Sequence, residues 1–216
     1  MRILQVITSL DMGGAETLVV NLIPRLQALG DTVDLCIFNG KETPLTHRLK
    51  KESPHTKIYA LGHRVYNPLY ILKLIKIMKN YDIIHTHNSS PQLFVAIANL
   101  FCSQKLVSTE HTTSNRKREW KWYAPIESWM YGQYNHVICI SQIAEEKLRE
   151  YMGGVWLDKT NPKYKQISTI NNGVDVKAIS DATPDGELLS LKKGRKAILM
   201  VAGFRDAKIR IRLLKP

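Results

Sequence analysis

Apolar residues along the chain follow two alternating spacings. The opening run Ile3–Ile7 is short, continuous and rich in β-branched residues, which is typical of a buried strand. After a short loop, apolar residues recur with the spacing of one helix face, at Ala15, Leu18, Val19, Leu22, Ile23 and Leu26. The same succession of strand, loop and helix continues along the chain, and it predicts an α/β fold with a parallel sheet.

The pattern sets the expected order of elements. Further strands are predicted at Thr32–Phe38, Lys57–Leu61, Asp82–His87, Lys105–Glu110, His136–Ile140, Gln166–Ile170 and Ala197–Ala202. Further helices are predicted at Leu45–Lys51, Pro68–Asn80, Pro91–Phe101, Pro125–Tyr134 and Ser141–Tyr151. Gly30 is expected to end the first helix, and Ser141 to cap the last. The stretch 176–196 mixes Asp, Pro, Gly and Lys, which indicates a linker with at most a short helix.

Length and composition narrow the class of protein. A chain of 216 residues, 44% of them apolar, could form one large domain, or one domain and part of another. It contains no run of eighteen apolar residues, so we expect no membrane span. The N-terminus enters a strand without a leader pattern, which favours a cytoplasmic protein. Cys36, Cys102 and Cys139 lie in apolar runs without C-x-x-C spacing and are expected to be reduced, buried thiols.

The charge balance favours an anionic partner. Lys and Arg number 31 against 19 Asp and Glu, a net charge of +12. Such a surface suits nucleic acid, a phosphorylated metabolite or an anionic membrane. No helix-turn-helix, RNP or zinc-finger pattern is present, so we do not expect nucleic-acid binding.

Polar residues follow the predicted strands, and parallel strands end at the same edge of a sheet. A single cleft is therefore predicted, lined from Ser9–Glu16, His85–Ser90, Glu110–Thr113, Ser141 and Asn171–Asp175. The adjacent Gly13 and Gly14 suit either close approach of an anion such as phosphate to the helix start or simply a tight turn. The loop is neither a G-x-G-x-x-G fingerprint nor a P-loop.

Each of the other polar residues at this edge has two interpretations, one as a site residue and one as a structural residue. We favour a site role for His111. Because His85 and His87 alternate along a strand, we expect them to face opposite sides, so that at most one, taken as His87, points into the cleft; either could equally be a core histidine. Glu16 serves either a ligand or the first helical turn, where acidic residues are stabilising. Asn172 and Gly173 line the cleft rim or only shape a turn. Nothing in the spacing of the histidines supports a zinc site.

Six short motifs in order resemble the retaining GT-B glycosyltransferases of the family 4 type. They are M-G-G-A-E (Met12–Glu16), D-I-I-H-T-H (Asp82–His87), S-T-E-H-T (Ser108–Thr112), I-C-I-S (Ile138–Ser141), I-N-N-G-V-D (Ile170–Asp175) and M-V-A-G-F-R-D-A-K (Met200–Lys208). The resemblance implies a Rossmann-like acceptor-side domain over residues 1–175, a linker over 176–196, and an orphan first strand of a donor domain within 197–208.

The resemblance also implies roles for individual residues. His111 would lie against the donor sugar, Gly13 and Gly14 near the donor diphosphate and the acceptor hydroxyl, and Lys208 would neutralise the leaving diphosphate. The donor would be a nucleotide-diphosphate sugar and the acceptor a glycan or lipid-linked glycan, with no metal and no other cofactor.

Two departures from the family pattern affect this expectation. Gly203 stands where the family usually has an arginine, and residues 209–216 do not continue the helix expected there. Codons for Ala-Lys-Asp-Gln-Asp-Thr-Leu-Val-Lys-Ala with one adenine deleted can encode the observed tail from Ala207. The hypothesis is an out-of-frame tail on a truncated transferase, and little or no activity is expected of this chain alone.

A basic aromatic stretch is a candidate for contact with the inner face of the cell membrane. Its residues are Arg116, Lys117, Arg118, Trp120, Lys121 and Trp122. A rival is the predicted helix that carries Lys73, Lys76 and Lys79, and for both the alternative is a solvated charged face. The competing function is a non-catalytic module that binds a membrane or a separate donor-domain chain. A different nucleotide-binding enzyme with a nicotinamide or flavin cofactor is disfavoured by the first loop.

Overall fold

The computed structural model describes residues 1–112, 118, 120–183 and 186–192. The chain falls into two units, Met1–Asn172 and Gly173–Pro216. Several sequence predictions lie outside the described residues: those for Arg116, Lys117, Lys208, the strand Ala197–Ala202 and the tail 209–216.

The first unit is built on a seven-stranded sheet in the order β3-β2-β1-β4-β5-β6-β7. Its strands are β1 (Arg2–Ile7), β2 (Thr32–Asn39), β3 (Ile58–Gly62), β4 (Ile83–His87), β5 (Lys105–Glu110), β6 (His136–Cys139) and β7 (Ile167–Thr169). Every neighbouring pair is parallel. The strand order changes direction between β1 and β4, the switch point where open α/β sheets bind ligands. The predicted parallel α/β fold is confirmed.

Helices connect the strands as the apolar spacing predicts. They are α1 (Gly14–Ala28), α2 (Pro44–Glu52), α3 (Leu69–Met78), α4 (Ser89–Asn99), α5 (Ala124–Gly132) and α6 (Gln142–Met152). Short 3-10 turns lie at Lys121–Tyr123, Gly154–Trp156 and Pro162–Gln166. In the second unit, α7 (Val176–Ser180) and α8 (Gly186–Lys192) lie within the predicted linker. The largest shift is at α4, which begins at Ser89 and not at Pro91.

The core has two layers, one on each face of the sheet. On one face, Val19, Val20 and Ile23 of α1 pack with α2 against β1 and β2. On the other face, α3, α4, α5 and α6 cover the whole width of the sheet. Each large apolar side chain taken fully out of water contributes about 1.5–3 kcal/mol to folding, so these two layers hold the sheet in place.

Predicted helix boundaries are set by specific residues. The Ser141 hydroxyl accepts a hydrogen bond from the Ala144 N–H at 3.2 Å and so caps α6. Gly30 follows α1 with a φ of 93°, a left-handed conformation that favours glycine. Both predictions are confirmed. Thr43 caps α2 and also donates from its hydroxyl to the Leu10 carbonyl at 2.7 Å, which ties down the loop after β1.

The three cysteines are free thiols. Cys36 and Cys139 are buried, as predicted, whereas Cys102 is only partly buried. Among the helices that the structure describes, none combines the length and the apolar character needed to cross a membrane.

Candidate functional site

Three loops meet at the carboxyl edge of the sheet, around the switch point. The glycine loop follows β1, His87 ends β4, and His111 directly follows β5. Because β4 lies between β1 and β5, the predicted site residues Gly13, Gly14, His87 and His111 come from three adjacent strands. The sequence-based expectation of one polar edge therefore holds for these residues.

The glycine loop presents the start of α1 without a side-chain cap. Gly13 is the N-cap in an extended conformation, and among the described residues no side-chain cap hydrogen bond is made at the start of the helix. Apart from its chain neighbours and the helix backbone, no residue in the described part of the chain lies within 4 Å of the position that a Cβ of Gly14 would occupy. The free N–H groups and the positive end of the helix dipole favour an anion here.

Glu16 lies in the first turn of α1, where its carboxylate folds back onto the loop. A Cβ on Gly13 would collide with this carboxylate, so glycine permits the close approach. Thr17 adds a hydrogen bond from its hydroxyl to the Gly13 carbonyl at 2.8 Å. Glu16 therefore shapes the loop at the start of α1.

Three histidines form a row beneath the edge. The ring of His87 lies between the other two, with its centroid 4.3 Å from that of His85 and 5.3 Å from that of His111. The Nδ1 atom of His87 and the Nε2 atom of His111 are 3.0 Å apart and share a hydrogen bond. On its other side, His87 Nε2 is 2.8 Å from the amide oxygen of Gln5.

Burial keeps these imidazoles neutral. Removal from water lowers the pKa of His85 and that of His111 to about 4 each, and it lowers the pKa of the fully buried His87 well below its usual value. A neutral imidazole carries one donor and one acceptor. The row can therefore orient hydrogen bonds toward a ligand without adding charge.

The expectation that His85 and His87 face opposite sides of the strand was wrong, because side chains two positions apart on a strand share a face. Their rings lie side by side, with centroids 4.3 Å apart and planes tilted by 44°. His85 does behave as the core histidine of the alternative reading, since its Nε2 atom is paired with the Thr109 hydroxyl at 2.8 Å.

Two further polar residues belong to this edge: sequence reasoning missed Gln5, whereas Asn88 lies within the predicted range His85–Ser90. Gln5 is fully buried in the middle of β1, and the only signal was a single amide inside an apolar run. Asn88, between β4 and α4, has a φ of 73°, a conformation that is rare outside glycine and clusters at functional sites.

A second polar cluster occupies the opposite face at the end of β5. The Tyr131 hydroxyl donates to Glu110 at 2.5 Å and accepts from Arg118 at 3.2 Å. Arg118 also pairs with Glu110 at 3.5 Å and with Glu127 at 3.4 Å. Burial raises the pKa of Glu127, and the Arg118 charge opposes that shift.

The position of Arg118 corrects its assignment to a membrane-facing surface. Its side chain is only 10% exposed, and its guanidinium forms ion pairs with Glu110 and Glu127. Trp120 and Trp122 are exposed, as that assignment requires, and their rings stack with centroids 5.6 Å apart. The side chain of Lys121 lies outside the described part of the chain.

The remaining predicted rim residues lie after β7. Asn172 is exposed and ends the first unit, while Gly173 is exposed and begins the second. Within the described ranges, no three His, Cys, Asp or Glu side chains cluster in a way that could hold a metal ion.

This chain resembles a known protein family and several solved structures. The model of Glycosyltransferase Family 4 matches residues 12–178. No match was found among curated proteins.

Similar solved structures share the fold at low sequence identity. The Anabaena protein HepE in complex with UDP-glucose has a TM-score of 0.69 at 16% identity, covering 89% of this chain and 49% of that one. A glycosyltransferase from Rickettsia africae has a TM-score of 0.59 at 22% identity, covering 89% and 48%. The S. aureus MnaA–UDP co-structure has a TM-score of 0.59 at 8% identity, covering 88% and 50%. The chain thus spans about half the length of these proteins.

Proposed function

The chain belongs to glycosyltransferase family 4, and from that premise we propose that it forms the acceptor-side part of an enzyme that uses a nucleotide-diphosphate sugar. The acceptor would be a glycan or a lipid-linked glycan. The observation that carries the proposal is the switch-point edge, where an uncapped helix start and a neutral histidine come from adjacent strands. HepE, a similar fold, was solved with UDP-glucose.

Each part of this edge matches one need of glycosyl transfer. The departing nucleotide diphosphate is an anion, and the free N–H groups at the start of α1 are suited to such charge. A sugar presents hydroxyls, which the neutral ring of His111 can bind without adding an ion. Preorganised groups of this kind stabilise charge that develops in the transition state. Phosphate binding by Lys208, retention of configuration and a reaction without metal remain predictions.

Loss of the His111 ring is expected to lower the rate of sugar transfer by about 10²-fold or more, the usual effect of removing one preorganised polar group. The measurement is release of nucleotide diphosphate from a panel of labelled nucleotide sugars with glycan and lipid-linked acceptors. Wild type is compared with His111→Ala after purification from source cells, so that any partner chain is retained.

His55→Ala is the matched control, because His55 is exposed and precedes β3, at the amino edge of the sheet. Equal rates for His111→Ala and wild type would remove His111 from the site. Co-purification of a separate polypeptide that carries the donor half, without turnover by this chain alone, would favour the non-catalytic module.

We also propose that the same protein binds an anionic membrane through the surface around α5, which we call the Trp face. Four large apolar side chains are exposed there: Trp120, Trp122, Ile126 and Trp129. Ile126 and Trp129 are one helical turn apart and lie on the same side of α5. Tryptophan is enriched at membrane interfaces, and the net charge of +12 favours anionic lipid.

Replacing Trp120, Trp122 and Trp129 with serine is expected to weaken binding to phosphatidylglycerol vesicles at least tenfold, because tenfold corresponds to only about 1.4 kcal/mol. Co-sedimentation measures the bound fraction. The matched control is Leu69→Ser with Leu72→Ser, two exposed residues of the basic helix α3. Binding lost in the α3 variant and kept in the tryptophan variant would assign the membrane contact to α3.

A further inference from the structure

Gln5, His87 and His111 form a continuous hydrogen-bonded row, called here the Gln5 relay. Gln5 and His87 are both fully buried, and they come from β1 and β4, the two strands that flank the switch point. The Gln5 amide oxygen is 2.8 Å from His87 Nε2, and His87 Nδ1 is 3.0 Å from His111 Nε2. The row therefore links the strand interior to the candidate site residue.

The hydrogen-bond acceptor at one end of the relay, the Gln5 amide oxygen, determines which nitrogen of each ring carries the proton. An amide oxygen accepts only, so Nε2 of His87 must carry the proton. In the neutral ring, Nδ1 of His87 is then an acceptor, and Nε2 of His111 must donate to it. This leaves Nδ1 of His111 with a lone pair, and the described residues provide that atom with no hydrogen-bond partner.

The amide of Gln5 is otherwise poorly placed. Its Nε2 atom is buried and has no hydrogen-bond partner among the described residues. An unsatisfied buried donor is destabilising, so packing alone does not favour glutamine at this position. Glutamine provides one contact that leucine or methionine would not, because its amide oxygen forms a hydrogen bond with His87.

We infer that Gln5 and His87 are positioning residues, which hold His111 in the tautomer with its proton on Nε2 and its Nδ1 free to accept a hydrogen bond. Resting on the function proposed above, the donor to this atom is a hydroxyl of the sugar or of the acceptor. His85 supports the relay from beneath, because its ring lies 4.3 Å from that of His87, measured between centroids, and its own Nε2 is paired with Thr109.

The test is the tautomeric state of each ring, read from two-bond ¹⁵N–¹H NMR correlations of the histidine-labelled 216-residue chain at neutral pH. Single histidine-to-glutamine variants assign the signals. The expected result is a proton on Nε2 of both His87 and His111. A proton on Nδ1 of His111 would overturn the inference, since the relay would then run in the opposite direction.

Gln5→Met removes the oxygen and keeps the length of the side chain. We expect the loss of the single-tautomer pattern of His87 and His111 in a chain that stays folded. Unchanged tautomers in this variant would overturn the role of Gln5. The matched control is Ser168→Ala, which removes the 2.7 Å contact with His136 Nε2 on the same sheet and should alter His136 alone.

This readout separates the relay from the proposed function. The tautomers are measured without substrate, so absence of sugar transfer leaves the result for the relay intact. Conversely, mixed tautomers in a chain whose His111→Ala variant loses transfer activity would reject the relay and retain the function. Should Gln5→Met fail to fold, the wild-type pattern still decides the direction of the relay.

Discussion

Lowering the pH from 7 towards 4 is expected to reduce the free energy of unfolding of this chain steeply, chiefly between pH 6.5 and 4. The cause is the buried row of His85, His87 and His111, whose folded-state pKa values lie at about 4 or are strongly lowered by desolvation. In the unfolded chain the same side chains take up protons near 6.5. The unfolded state therefore binds more protons in this window and gains stability from them.

The sign and size of the effect follow from that difference. Above pH 6.5 both states hold neutral histidines, and the full stability is present. As the pH falls toward 4, each unit of pKa difference removes about 1.4 kcal/mol. Together, His85 and His111 then lower the free energy of unfolding by an amount on the order of 5 kcal/mol, which is comparable with the whole stability of many domains.

Urea unfolding at several pH values between 4 and 7 measures this dependence. His85→Gln removes one titrating ring and keeps a group that can pair with Thr109, so its slope against pH should be shallower than that of wild type. His55→Gln, at an exposed position, is the matched control and should keep the wild-type slope. A wild-type free energy that stays constant over this range would contradict the prediction.

Replacing Arg149 with methionine is expected to destabilise the first unit by about 3 kcal/mol or more. Its buried guanidinium donates to the carbonyls of Trp156 at 3.0 Å, Tyr164 at 3.0 Å and Ile167 at 2.8 Å. It also pairs with Glu145 at 2.7 Å and lies over the Tyr164 ring. Methionine would remove the guanidinium donor from three carbonyls and would leave the Glu145 carboxylate with the Thr169 hydroxyl but without its cation, and buried groups that lose such partners carry a large penalty.

The matched control lies on the same helix. Lys147→Met breaks an exposed pair with Glu150 and should change the free energy of unfolding by less than about 1 kcal/mol. Urea unfolding of the two variants at pH 7 gives the comparison. Similar stabilities for Arg149→Met and wild type would show that the 3-10 turns and β7 are held by other contacts.

Much of the fold could be predicted because the signals are local. Continuous apolar runs marked strands such as Ile3–Ile7, and the helical spacing marked the face of α1 that packs on β1 and β2. Ser141 and Gly30 act within one turn of the helices that they bound. Local signals also placed Gly13, His87 and His111 at strand ends, and a parallel sheet brings strand ends to one edge.

The sequence by itself therefore determined the α/β class, the order of the elements and the edge that carries the site. Only the tertiary structure decided which polar groups are buried and which meet. Gln5 and His87 are 82 positions apart and pair because β1 lies beside β4 in a particular register. Arg118 and Arg149 resemble exposed charges in the sequence, yet the packing of neighbouring elements buries both of them. Apolar spacing predicts which face of a helix or strand is buried. Which element packs against that face depends on how the sheet assembles.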